Sequence, residues 1–252
     1  MSRKAIGIDI GGTGIKAAVV DIKTGELVGE RVRVETPDGG RPNDIADVVA
    51  KVISQLSRQR PSMAVGICFP AVVQHGRTMS AANISKEWIG LDADSLFSKR
   101  LGRSVHVLND ADAAGVAEVR FGAAKRAKGL TIMTTLGTGI GTALFMNGKL
   151  VPNAELGHLE IDGVDYETKA AFSAKEREEL EWEEWASRLQ VYYSKLEALF
   201  SPDLIIVGGG VSKQHELFLP LLKLNCPIVP AVKRNSAGIL GAAWVAHSHT
   251  EG

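Results

Sequence analysis

Cysteine is scarce in this 252-residue chain, with Cys68 and Cys226 the only two. Thiols so far apart give neither a disulfide framework nor the paired spacing of a zinc site. Cys68 lies in the apolar run Val65-Gly66-Ile67-Cys68-Phe69, where a thiol reads as a small buried hydrophobe. Long apolar runs are missing too: none approaches the ~18 residues that span a bilayer. Met1-Ser2-Arg3-Lys4 leads straight into a strand pattern without a signal-type apolar core. A reducing, cytoplasmic setting with no membrane partner is the expectation. Net charge is also absent, since 29 Lys plus Arg balance 29 Asp plus Glu. That argues against a nucleic-acid partner, whose recognition rests on a basic surface.

What is present is the composition of a soluble globular protein, 45% hydrophobic and 23% charged. Ala5–Ile10 and Ile15–Val20 are apolar runs joined by Gly11-Gly12-Thr13-Gly14, the pattern of a hairpin. A third strand is expected over Leu27–Val34. Helical spacing of Ile45, Val48, Val49, Val52, Ile53 and Leu56 predicts a helix over 44–56. Met63–Phe69 reads as a strand buried on both faces, and residues 105–110 as a strand ending in polar side chains. From Leu130 the opening pattern repeats: an apolar run to Leu136, then Gly137-Thr138-Gly139-Ile140-Gly141, then a second apolar run. A duplicated unit predicts two similar lobes in an α/β protein with mixed sheets. The expected division is a small lobe of 1–109, with a closing helix of about 237–252 packed back on it, and a larger lobe of 110–236. A long helix over Ser173–Phe200 is expected, with Ser173 and Glu176 as its capping box and Trp182, Trp185, Leu189, Tyr193, Leu196 and Phe200 on a core-facing stripe. A strand over Leu204–Val207 then meets Gly208-Gly209-Gly210, and a helix is expected from about Lys213.

Glycines let backbone N–H groups approach an anion, and a turn of such groups is a phosphate cradle. Gly11, Gly12, Thr13 and Gly14 form one candidate, and Gly137, Thr138 and Gly139 a second. Each alone also reads as a plain glycine hairpin. Asp9, ahead of the first turn, can hold Mg²⁺ directly or through water. Lys16 faces either phosphate or solvent. Asp110 precedes an apparent helix from Ala111, so its carboxylate reads equally as a helix cap or as a chemical group.

Two such turns in equivalent places of a duplicated chain resemble the phosphate loops of the sugar kinase, Hsp70 and actin superfamily. That likeness implies an actin-like two-lobed fold with a nucleotide between the lobes. Gly208, Gly209 and Gly210 resemble its adenosine loop. Asn109-Asp110-Ala111-Asp112, Glu155-Leu156-Gly157-His158 and Ser80-Ala81-Ala82-Asn83 followed by Trp88 are similar to motifs of the ROK family of bacterial repressors and sugar kinases. The match runs from Ile6 to Ala243 with the motifs in the family's order. Many members carry a Cys-x-Cys-Gly zinc knuckle that this chain lacks, so no zinc is expected. The zinc-free form resembles the family's polyphosphate- or ATP-using glucokinases and glucomannokinases.

The resemblance implies Asp110 as base for the 6-hydroxyl of glucose or a related hexose. Asn83, Asn109, Glu155, His158 and Glu167 would bind the sugar, with Glu160 as rival to Glu167. ATP or polyphosphate would be the donor, Mg²⁺ the cofactor and a homodimer the assembly. Lys125, Arg126 and Lys128, or Lys233 and Arg234, are candidate polyphosphate contacts as much as ordinary surface charges. A repressor of this family would carry a helix-turn-helix segment ahead of the first strand. A sugar sensor would form no sugar phosphate. An Hsp70- or actin-like ATPase would not need the Asn109/Asp110 and Glu155/His158 pairs.

Overall fold

A computed structural model of the chain describes residues 4–56, 63–81 and 84–250. The chain forms two compact units, one of residues 1–117 and 236–252, the other of 118–235. In chain order the first contains β1 (Lys4–Ile10), β2 (Ile15–Asp21), β3 (Glu26–Val34), α1 (Pro42–Leu56) and β4 (Ala64–Phe69). A small hairpin of β5 (Val73–Gln74) and β6 (Arg77–Thr78), then α2 (Ala93–Leu101) and β7 (Val105–Asn109), lead into α3 (Asp110–Phe121). The second unit holds β8 (Leu130–Leu136), β9 (Ile140–Met146), β10 (Lys149–Val151), β11 (Glu160–Ile161) and β12 (Val164–Asp165). There follow α4 (Glu167–Ala170), α5 (Phe172–Arg177), α6 (Trp182–Phe200), β13 (Leu204–Gly208) and β14 (Ile228–Pro230). The chain then returns to the first unit as α7 (Ala237–Ser248).

The duplication read from the two glycine turns is a duplication of topology. One sheet has the order β3-β2-β1-β4-β7 and the other β10-β9-β8-β13-β14. In each, the first three strands of the unit pair antiparallel and the later two join in parallel. Parallel strands are covered on both faces, which explains the unbroken apolar runs of β4 and β13. On one face of the first sheet, α7 comes so close that a Cβ on Gly7 would overlap the Ile239 carbonyl, and one on Gly66 that of Ala242. On the other face Ile45, Val49 and Ile53 of α1 join a core with Trp88 and Phe97. Trp88 is fully buried between Phe69 and Phe97 and donates its indole N–H to the Gly40 carbonyl at 2.9 Å. Truncating a ring so enclosed costs about 3–5 kcal/mol.

Three elements depart from the sequence expectation. The helix expected over Ser173–Phe200 is two helices, α5 and α6, and the capping box belongs to Glu181 and Glu184 instead of Ser173 and Glu176. Ser173 is engaged elsewhere, donating its hydroxyl to the Thr138 carbonyl. The helix expected from Lys213 is a kinked 3-10 stretch, Gly210–Leu217, with Gln214 off helical geometry. The strand expected over 105–110 ends at Asn109, because Asp110 already opens α3.

Candidate active site

The first unit gathers its polar groups at the carboxyl ends of its parallel strands, the end at which open α/β sheets bind ligands. Asp9 and Cys68 are register partners there, and Asn109 is the partner of Phe69 one strand over. Asn109 is buried and caps α3: its side-chain oxygen accepts the N–H of Ala111 at 2.8 Å and of Asp112 at 3.0 Å, while its amide donates to the Ala71 carbonyl. The cap therefore sits one residue before Asp110. Asp110 is exposed at the helix start, one carboxylate oxygen 2.8 Å from the Ala111 N–H.

Asp9 is partly buried, with Lys16 Nζ 3.4 Å from one oxygen and the Cys68 thiol 3.6 Å from the other. Burial, then the negative charges of Asp9 and Asp110, raises the Cys68 thiol well above its usual range, against a small opposing effect of Lys16. The thiol stays protonated and donates to Asp9. In the following turn the Gly11 N–H bonds to the Gly14 carbonyl at 3.0 Å, and Thr36 donates to the Gly11 carbonyl at 2.6 Å. Arg33, next to the end of β3, lies beside Gly14, a cation that nothing in its local pattern marks.

The second unit holds the other turn. The Gly137 N–H bonds to the Gly139 carbonyl, and Ser173 takes up the Gly137 and Thr138 carbonyls. The Ile140 N–H is donated to Glu167 Oε2 at 2.6 Å. In both turns the central amides, Gly12 and Thr13 in one and Thr138 and Gly139 in the other, donate to no group among the described residues. Such amides are what an anion requires. The Gly208–Gly210 loop adjoins the second turn, since a Cβ on Gly209 would overlap the Leu136 backbone.

Glu155 precedes, and Gly157 and His158 lie on, a 3-10 turn pressed against the start of β9: a Cβ on Gly157 would overlap the Ile140 carbonyl. The turn is held by Thr142, whose hydroxyl accepts the Leu156 N–H at 2.9 Å and donates to Ala154 O, and by the Tyr192 hydroxyl on Leu156 O at 3.1 Å. Trp185 of α6 donates to Ala170 O just beyond Glu167, and Tyr193 bonds to Thr134 of β8. The aromatic stripe of α6 is thus core, and it also positions the turn. Surrounding protein atoms raise the Glu155 carboxyl; His158 opposes this and Glu167 adds to it. His158 Nδ1 lies 2.9 Å from Asp165, which raises the imidazole above its usual range, with Glu167 and Glu155 contributing. Asp165 was missed in the sequence because nothing in its local pattern marks it. Glu160 is exposed on β11 across from Asp165, whereas the charge of Glu167 acts on both Glu155 and His158. Asn83 lies outside the described residues.

Among the described residues no group of three or more His, Cys, Asp or Glu could hold a metal ion. Asp9 is a single, partly exposed carboxylate beside a turn of free amides. That suits a cation whose other ligands are water and phosphate.

Two sheets of identical order, each with a glycine turn after its first strand, define an actin-like sugar-kinase architecture. Residues 5–174 match the ROK family, and the chain belongs to it. It is 43% identical over 249 residues to a polyphosphate glucokinase of Mycobacterium tuberculosis, covering 98% of this chain and 93% of that protein. The solved inorganic polyphosphate/ATP-glucomannokinase of Arthrobacter sp. strain KM is 54% identical, with a TM-score of 0.92, 98% of this chain and 100% of that one covered. A ROK family glucokinase from Streptomyces griseus, solved with glucose and AMPPNP, is 26% identical with a TM-score of 0.81 over 97% and 99% of the two chains. No helix among the described residues is long and apolar enough to cross a membrane.

Proposed function

We propose that the chain is a glucokinase that moves a phosphoryl group from polyphosphate or ATP to the 6-hydroxyl of glucose, with mannose the alternative hexose to be tested. The observation that carries the reading is the bond from Ile140 N–H to Glu167 Oε2. It joins a carboxylate–histidine group suited to sugar hydroxyls directly to a turn suited to phosphate. Hexose and donor phosphates then meet on contiguous backbone, as phosphoryl transfer requires. The names of the relatives support both donors.

Asp110 takes the proton of the attacking hydroxyl. Its place just past the end of β7 is fixed chiefly by the Asn109 cap, which accepts two amides of α3, while its own carboxylate accepts the Ala111 N–H. Asn83, Asn109, Glu155, His158 and Glu167 bind the sugar, and each hydroxyl left unpaired against them is costly, which sets discrimination between hexoses. Gly11, Gly12, Thr13, Gly14 and Lys16, with Gly137, Thr138 and Gly139, bind donor phosphates through amides and one ammonium. Gly208, Gly209 and Gly210 receive the adenosine of ATP. Asp9 would hold Mg²⁺ through water, which supplies charge neutralisation at the phosphates. The setting is cytoplasmic and the assembly a homodimer.

The test is a coupled assay crossing ATP and long-chain polyphosphate with glucose, mannose and other hexoses, repeated with Asp110→Asn. Glucose 6-phosphate from either donor, abolished in the variant, is expected. Absence of any sugar phosphate would leave a sugar sensor. Phosphate release independent of hexose would leave a simple ATPase.

A further inference from the structure

The two basic segments of the second unit, Lys125 to Lys128 and Lys233-Arg234, are 105 or more residues apart in sequence yet hang from one buried side chain. Glu118 of α3 is fully buried. One of its oxygens accepts the Ala123 N–H at 2.7 Å and the other the Lys233 N–H at 2.6 Å. A wholly buried carboxylate is expensive unless both oxygens are satisfied, and here each is. Glu118 therefore clamps the turn that bears Lys125, Arg126 and Lys128 to the turn that bears Lys233 and Arg234.

No acidic residue lies between Val119 and Leu130 or between Ile228 and Leu240. Lys125, Arg126, Lys128 and Arg234 are exposed, and no ion pair among the described residues involves them or Lys233. In a chain with no net charge this is a local excess of cations, with the Asp203 carboxylate, which accepts the Leu130 N–H beside Lys128, an acidic group at its border. It also borders the donor side. The Ala231 N–H bonds to the Val207 carbonyl at 2.9 Å, and a Cβ on Gly208 would sit 3.6 Å from that of Ala231. The Lys233-Arg234 turn thus leaves the sheet edge beside the Gly208–Gly210 loop.

We propose that this Glu118-clamped surface is a subsite for the distal phosphates of a polyphosphate donor, those beyond the one being transferred. The proposal rests on the polyphosphate half of the functional reading. A nucleoside triphosphate ends at its base and does not extend along the surface, whereas a linear polyphosphate continues past the turn and meets successive cations. The clamp holds them at fixed spacing before the polymer arrives, so less ordering opposes binding.

The experiment compares wild type with Lys125→Gln/Arg126→Gln/Lys128→Gln, using long-chain polyphosphate, tripolyphosphate and ATP as donors to glucose at several salt concentrations. The triple variant should raise KM for the long chain by about tenfold, since three exposed ionic contacts each contribute a small factor. Its KM should also depend less steeply on salt than that of wild type, because fewer counterions are released. Tripolyphosphate and ATP should shift much less. Glu118→Gln, which cannot accept with both oxygens, should lower the preference for long over short polyphosphate even where its thermal stability falls. Equal loss with all three donors, or an unchanged KM for the long chain, would overturn the subsite while leaving the polyphosphate donor standing. A wild-type protein that uses ATP and no polyphosphate of any length would overturn both.

Discussion

Glu167 Oε2 receives the Ile140 N–H at 2.6 Å, so a carboxylate from the first turn of α4 closes the Gly137–Gly139 turn from the side. One of its oxygens is thereby fixed, and the other remains for a ligand. The same charge reaches Glu155 and His158. A side chain expected from sequence to touch sugar alone is also part of the scaffold of the phosphate turn.

Substitutions at the two ends of that contact should separate its roles. Glu167→Gln keeps an oxygen for Ile140 but loses the charge. The KM for glucose should rise about 10- to 100-fold, the scale of one hydrogen bond to a charged group, with the donor KM shifted far less. A methyl on Gly139 would overlap Glu167 Oε2, so Gly139→Ala expels the carboxylate and should raise both values. Steady-state kinetics varying each substrate in turn tests this. An unchanged donor KM in Gly139→Ala would contradict it.

Because Asn109 and not Asp110 caps α3, the base and the cap can be tested apart. Asp110→Asn should lower kcat by about 10²- to 10⁴-fold, the usual contribution of a general base, with little change in melting temperature. Asn109→Ala removes the acceptor of two helix amides and should cost about 1 kcal/mol for the cap, seen as roughly 2–4 °C of melting temperature. A large thermal loss in Asp110→Asn would assign that residue a structural role instead.

The legible parts of the molecule are those written in local pattern. The turns at Gly11–Gly14 and Gly137–Gly139, the buried run of β4 and the apolar stripe of α6 could all be read because period and glycine spacing are local. The break between α5 and α6 could not: Leu180 and Glu181 carry no breaker, yet the chain turns at Glu179, a non-glycine residue with φ of 51°. The same holds for the site. Glu155 and His158 stand in a recognisable motif, but Asp165 joins them only through folding, and within the first unit Arg33 meets Gly14 and Cys68 meets Asp9 in the same way. Glu118 reads as one more charge on an amphipathic helix until its two backbone partners are seen.

Removing Asp165 should retune His158. Its hydrogen bond favours the imidazolium, so His158 titrates above its ordinary value of 6.5, and Asp165→Asn should bring it back down. A raised pKa in the folded state stabilises the fold below the unfolded value and loses that contribution as pH climbs through the folded one. The melting-temperature gap between wild type and variant should accordingly be widest below about pH 6 and narrow on the alkaline side. Imidazole NMR titration of both proteins reads the shift directly. An identical midpoint in the two would show that the Asp165 contact is not formed in solution.

Cys68 makes the last test, of the chemistry around Asp9. Its thiol is fully buried and carries the combined effect of desolvation and two carboxylates, all opposing thiolate formation. Cys226 is likewise pushed up, to about 11, by partial burial and the Glu197 carboxylate. Thiolate is the reactive form, so both cysteines should react only slowly with a disulfide reagent at pH 7–8 in the native protein, and rapidly after denaturation. Ligands that draw Asp9 toward a cation would remove one of the charges suppressing Cys68. Adding Mg²⁺ with donor should therefore change the slow labelling rate of Cys68 while leaving that of Cys226 constant. Cys68→Ser keeps a donor for Asp9 and should retain activity, whereas Cys68→Val leaves that oxygen unpaired and should raise the Mg²⁺ concentration needed for half-maximal rate. Equal Mg²⁺ requirements in the two variants would mean that the thiol hydrogen bond plays no part in preparing Asp9.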